Sequence, residues 1–229
     1  MKGAIAMKQN VRLSSSTPRS RTRPAYSSRL VESIRRMELE LAHRQRGDGG
    51  NIPITVGILI ADYRRQFCKE NIINHLERID RQSGPLIDFY IPGYIRPISE
   101  TENQNDQFEF QQQKYCFHKH AFDRFIHELE RRGINVTGRT QLLLVPYENH
   151  RLRFREALAF DLEKEEASGK IESTKLFFDF IIEISKETTD FEEFRKRIQY
   201  GRARTVFLDF LKEKLPDTLW SLITSPFSK

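Results

Sequence analysis

Residues 54–61, ITVGILIA, form a charge-free run rich in β-branched side chains. Such a run predicts a strand buried on both faces, as in a parallel sheet. After Asp62 the period changes. Phe67, Ile72, Leu76 and Ile79 share one side of a helix predicted over residues 64–81, and Ser83-Gly84-Pro85 stops it. Residues 86–91 predict a second strand, closed by Pro92-Gly93-Tyr94. A crossover of this length makes the two strands parallel and the connection right-handed.

Residues 96–107 are polar, lack periodicity and read as a surface loop. Residues 108–117 predict one or two short strands around a run of Gln at 111–113. A helix is predicted over 118–132, with Gly133 where a C-terminal cap belongs. Residues 140–145, TQLLLV, predict another strand buried on both faces, closed by Pro146.

Beyond Tyr147 the chain reads as helical. One helix is predicted over 150–167, ended by Gly169. A second, over 173–186, buries Leu176, Phe177, Phe180, Ile181 and Ile184. A third starts at Asp190, which with Glu193 forms a capping box. Phe207, Leu208, Leu211, Leu215, Leu219 and Trp220 predict that the last stretch docks. Upstream, Leu30, Ile34, Met37 and Leu41 form the apolar stripe of an amphipathic helix over 27–46. That stripe must pack on the body of the chain or on a partner. Gly47-Asp48-Gly49-Gly50-Asn51 follows as a linker.

Charge divides the chain. Its net +6 hides an excess of +7 in residues 1–49, where 11 Lys/Arg face 4 Asp/Glu, so the remaining residues carry −1 (6 − 7). A body of this balance argues against a nucleic-acid-gripping core. The basic segment is the natural contact for a polyanion, over residues 1–46. Residues 1–31 contain seven Lys/Arg and no Asp or Glu. That composition suits a disordered basic tail, and equally a transit peptide. A cytoplasmic location is expected, or an organellar matrix if residues 1–31 are a transit peptide. Two cysteines, Cys68 and Cys116, are too few for a disulfide framework. No apolar stretch approaches the ~20 residues that span a bilayer.

The chemistry is expected at the strand ends, because open parallel sheets bind ligands beyond the carboxyl ends of their strands. Those ends hold Asp62 and Tyr63, then Tyr90 and Tyr94, then Tyr147 and Glu148, with Arg151 close behind. Asp62 and Glu148 are candidate catalytic carboxylates, able to do acid–base work or hold a metal. The plainer reading has Asp62 cap the next helix and the tyrosines finish the core. Cys116, His118 and His120 would alternate onto one face of a strand and are weak metal candidates. On a helix, His120 instead joins Asp123 and His127 on a solvated face beside Arg124 and Arg131. No glycine-rich phosphate loop, Gly-x-Ser-x-Gly elbow or Cys-x-x-Cys pair is present, so no cofactor is expected.

Together these patterns predict an α/β fold. It is a mostly parallel sheet of four to five strands, a Rossmann-like three-layer sandwich, with a C-terminal helical subdomain. The expected organisation is a disordered tail over 1–26, a helical arm over 27–46, a core over 52–149 and a helical subdomain over 150–229 packed on it. The expected function is a cytosolic, non-enzymatic binding or regulatory module recognising a small or peptide ligand at the strand-end crevice. A protein partner is expected on the 27–46 helix. The alternative is a hydrolase acting on a nucleotide or nucleic acid through Asp62 and Glu148.

Overall fold

The computed structural model describes residues 33–47, 55–62, 64–83, 87–95, 107–110 and 113–214. The expectations for Leu30, Tyr63, the tail over 1–26, most of the 96–107 loop and residues 215–220 lie outside these residues, as do the side chains of Phe207, Leu208 and Leu211.

In chain order the elements are α1 (Ile34–Gly47), β1 (Thr55–Ile60), α2 (Gln66–Asn71), α3 (Leu76–Ser83), β2 (Ile87–Tyr90), β3 (Tyr94–Ile95), β4 (Gln107–Phe110) and β5 (Gln113–Phe117). Then come α4 (Lys119–Arg131), β6 (Gln141–Glu148), β7 (Arg151–Leu152), β8 (Leu158–Asp161), α5 (Leu162–Ala167), α6 (Thr174–Glu187) and α7 (Phe191–Lys214). The larger sheet runs β2-β1-β6, and β6 then pairs with both β7 and β8. A smaller antiparallel sheet runs β3-β5-β4.

The expected mostly parallel, Rossmann-like sheet is not what forms. β1 and β2 are parallel. Among the described residues every other pairing is antiparallel, including β1 with β6 and β6 with β8. The reason lies in what an apolar run reports. Val56, Ile58, Ile60, Leu143 and Val145 face one core, while Leu59, Leu142 and Leu144 face the other. Helices cover both faces, so the middle of β1 (residues 56–60) and of β6 (residues 142–145) carries no polar side chain. That pattern records two-sided burial, and burial does not fix strand direction.

α1 and α4 lie on one face. Ile34, Met37 and Leu41 are buried with Tyr90, Phe125, Leu129 and Tyr147. Of the two expected places for the apolar stripe, the body or a partner, Ile34, Met37 and Leu41 take the body, packing with the sheet and α4. Full burial of such side chains contributes roughly 2 kcal/mol each. Two hydrogen bonds pin the helix: Ile34 N donates to Glu128 and Leu152 N donates to Glu38.

The other face packs against α2, α3, α6 and α7. Phe89 meets Phe178 edge-on at 5.4 Å and Phe160 meets Phe177 at 5.0 Å. Gly57 permits this layer to close. A Cβ there would sit 2.3 Å from the Phe89 ring on the neighbouring strand.

The helix expected over 150–167 is instead a hairpin strand, a short 3-10 turn, an edge strand and a short helix. Leu152 and Phe154 are buried in the core under α1, while Phe160 and Leu162 are buried in the opposite one, a switch of faces that one helical stripe cannot make. The β6–β7 turn uses Asn149 and His150, both in the left-handed region, as a tight two-residue hairpin requires. The helix expected over 64–81 is broken between α2 and α3 by a 3-10 turn. Asp190 caps α7 by accepting from Glu193 N, while the Glu193 carboxylate accepts from Arg197.

Candidate functional site

β1 ends at a network of charge pairs. Asp62 accepts from Arg64 three times, from its backbone N at 3.1 Å, Nε at 2.8 Å and a terminal nitrogen at 2.6 Å. Partial burial acts to raise the Asp62 pKa, but these bonds and the charges of Arg64 and Arg65 outweigh it and lower it. Arg64 also lies over the Phe117 ring at 5.0 Å. Arg65 donates to the Gly138 carbonyl and, at 2.7 Å, to Glu163. The other Glu163 oxygen accepts from Thr140 N and Oγ1. These bonds tie the start of α2 to α5 and to the loop before β6.

Tyr94 is buried and donates to the Ala61 carbonyl at 2.7 Å. Its neighbour Cys68 is buried too, and burial pushes the thiol up to about 12 against the opposing Tyr94 hydrogen bond. A thiol of that kind is a packing group rather than a nucleophile.

The crevice expected at this end does not gather its members. β6 is antiparallel to β1, with Ile60 opposite Gln141. Tyr147 and Glu148 therefore lie beside the beginning of β1, on the order of 25 Å from Asp62 at strand rise. Glu148 is exposed and faces Arg151 across the hairpin. Tyr147 is buried against α1, where burial and the nearby Glu38 raise its pKa, and its hydroxyl has no hydrogen-bond partner among the described residues. Tyr90 packs in that same core, whereas Tyr94 packs in the opposite one. Asp62 and Tyr94 remain together; Tyr90, Tyr147, Glu148 and Arg151 do not join them.

The weak metal candidates are also separated by role. Cys116 is buried on β5. His118 caps α4, its Nδ1 accepting from Ala121 N, and His120 is exposed two residues on, its ring 6.1 Å from that of His118. Among the described residues no three His, Cys, Asp or Glu side chains are placed to hold a metal ion.

A concave surface lies elsewhere, where α6 and α7 meet the loop after α5. Ile171, Leu176, Phe177, Phe180, Gly201 and Arg202 enclose about 170 Å³, with Lys170 and Glu172 on the rim. Leu176, expected in the core, is 45% exposed. Gly201 lets the helices close, because a Cβ there would lie 2.2 Å from Phe180. Arg202 donates to the buried Glu165 at 2.7 Å and covers the Phe160 ring at 5.0 Å. Burial raises the Glu165 pKa, opposed by Arg202 and Lys170. The signal for this cleft was in α6 itself. Leu176, Phe177, Phe178, Phe180, Ile181 and Ile182 surround more of the helix than one packed face needs.

Among the described residues no helix is long and apolar enough to cross a membrane. Comparison of the chain with protein-family models, with curated proteins and with solved structures returned no match.

Proposed function

We propose that this chain is a non-enzymatic binding module and that it recognises a peptide by accepting one large apolar side chain in the α6–α7 cleft. The observation that carries this reading is Leu176, a large apolar side chain left 45% exposed on the wall of a cleft of about 170 Å³. Small-molecule sites span about 300–1,000 Å³. A cleft below that range suits a single side chain better than a nucleotide or cofactor. Phe177 and Phe180 supply its apolar wall, and Lys170 and Glu172 give its rim a polar, charged edge. An apolar hollow edged by polar groups is the kind of site in which a partner's anchor side chain is buried. A hydrolase built on Asp62 and Glu148 draws no support from two carboxylates at opposite ends of β1 and β6.

The test is a methyl NMR titration of the full chain with N-acetyl-tryptophanamide. Shifts centred on Ile171 are expected, and they should vanish in a Leu176→Glu variant. Shifts that persist in the variant, or that spread to Asp62 and Tyr94 instead, contradict the reading.

A further inference from the structure

We infer that the side chain which enters this cleft belongs to the last residue of its partner, and that Arg202 holds the free carboxylate of that residue. The inference rests on the cleft being a side-chain site, and the two can fail separately.

Arg202 lines the cleft together with Phe177 and Phe180. Two contacts fix the plane of its guanidinium. Nη2 donates to Glu165 at 2.7 Å, and Cζ lies 5.0 Å from the centre of the Phe160 ring. A guanidinium carries five N–H donors in a rigid plane, and the ion pair occupies only Nη2. Nε and Nη1 have no partner among the described residues, and neither is buried. The Arg202 side chain is 30% exposed, against 12% for that of Glu165. One edge of the guanidinium is thus held in place while another stays open to an incoming group. Pre-oriented, charged donors of this kind suit an anion, and a carboxylate is the anion every peptide carries. The charges around the cleft cancel, Arg202 and Lys170 against Glu165 and Glu172. The carboxylate is therefore held by aimed donors rather than by an excess of positive charge.

Size decides which carboxylate. The hollow of about 170 Å³ takes one side chain, and Arg202 lines that same hollow. In an extended peptide successive side chains point to opposite faces, and the next one on the same face stands about 7 Å along. An Asp or Glu beside the anchor residue would therefore lie outside the hollow. The α-carboxylate of a terminal residue is attached to the same Cα as its side chain, so both groups enter together. Capture of a C-terminal carboxylate is a recurrent mode of peptide recognition.

Two probes that differ only at this group provide the test: N-acetyl-tryptophan, with a free carboxylate, and N-acetyl-tryptophanamide. Methyl shifts at Ile171 in the full chain give both affinities at pH 7, where the carboxylate is ionised. The acid should bind about tenfold more tightly, the low end for a charge-assisted hydrogen bond because the guanidinium is partly exposed. Arg202→Gln should bring the two affinities together. Glu165→Gln is the second variant, should Arg202→Gln disturb folding. It removes the charge that competes for Arg202, so the preference for the acid should widen. A preference that survives in folded Arg202→Gln, or that fails to widen in folded Glu165→Gln, overturns the inference. Equal affinities in the unaltered chain also overturn it while leaving the cleft as a side-chain site. Shifts from neither probe remove both proposals.

Discussion

Arg202 and Glu165, far apart in sequence, meet in a 2.7 Å ion pair that joins α7 to the end of α5. Glu165 is buried, and burial lifts its pKa despite Arg202 and Lys170. A folded carboxyl with a raised pKa holds its proton more tightly than the unfolded chain does. Its stabilising contribution is therefore complete below the ordinary value of 4.5 and is lost as pH rises through the folded value. Glu165→Gln cannot titrate. Urea unfolding of both proteins from pH 4.5 upward should show the unaltered midpoint falling more steeply than that of the variant.

Glu163 is the second carboxylate with structural reach, because it accepts from Arg65, from Thr140 N and from Thr140 Oγ1. Thr140 is fully buried, so removing the acceptor strands two donors away from water. Glu163→Ala should cost about 2–3 kcal/mol, read as a lowered urea midpoint at unchanged slope. Glu148→Ala, on an exposed hairpin, should fall within about 0.5 kcal/mol of the unaltered chain.

Gly57 should be intolerant of a single methyl group. Its Cβ would lie 2.3 Å from Cδ1 of Phe89, in a ring already held by Phe178. Gly57→Ala should destabilise by about 1–3 kcal/mol, the usual range for overpacking. Phe89→Leu in the same chain should recover part of that loss, giving a coupling energy of about 1 kcal/mol in a double-mutant cycle.

Cys68 should resist thiol reagents in the folded protein. With its pKa near 12, only about one molecule in ten thousand carries a thiolate at pH 8. Mixing with 5,5′-dithiobis(2-nitrobenzoic acid) should give no Cys68 adduct until denaturant is added, checked by mass spectrometry of peptides.

The βαβ start was legible because β1 is a charge-free, β-branched run and its crossover has helical spacing. The direction of β6 was not, because TQLLLV reads the same whichever way it enters a sheet covered on both faces. That ambiguity also governed the candidate site. Asp62 and Glu148 share a crevice only if β1 and β6 are parallel, and their antiparallel register sends them to opposite ends. The strands after Tyr147 left a faint mark in the alternation of Leu158 and Phe160, whereas Leu152 stands on a strand of two residues, too short to show a period. The charged run Glu163-Lys164-Glu165-Glu166 lent the same segment a helical look. The cleft lay hidden for a different reason: the excess apolar breadth of α6 signals that some of it stays uncovered, but not against which neighbour.

The two faces of the central sheet are covered by different helices, α1 with α4 on one and α2, α3, α6 and α7 on the other. During synthesis this sets an order. A nascent chain that has reached Asp161 holds the eight strands of the described residues, with α1 already available to the first face. The rings of Phe89 and Phe160 must wait for Phe178 and Phe177 to leave the ribosome. Until then one face is incompletely covered, the state in which newly made chains stick to one another and engage chaperones. Emergence of α6 supplies the rings that close over Phe89 and Phe160 on that face.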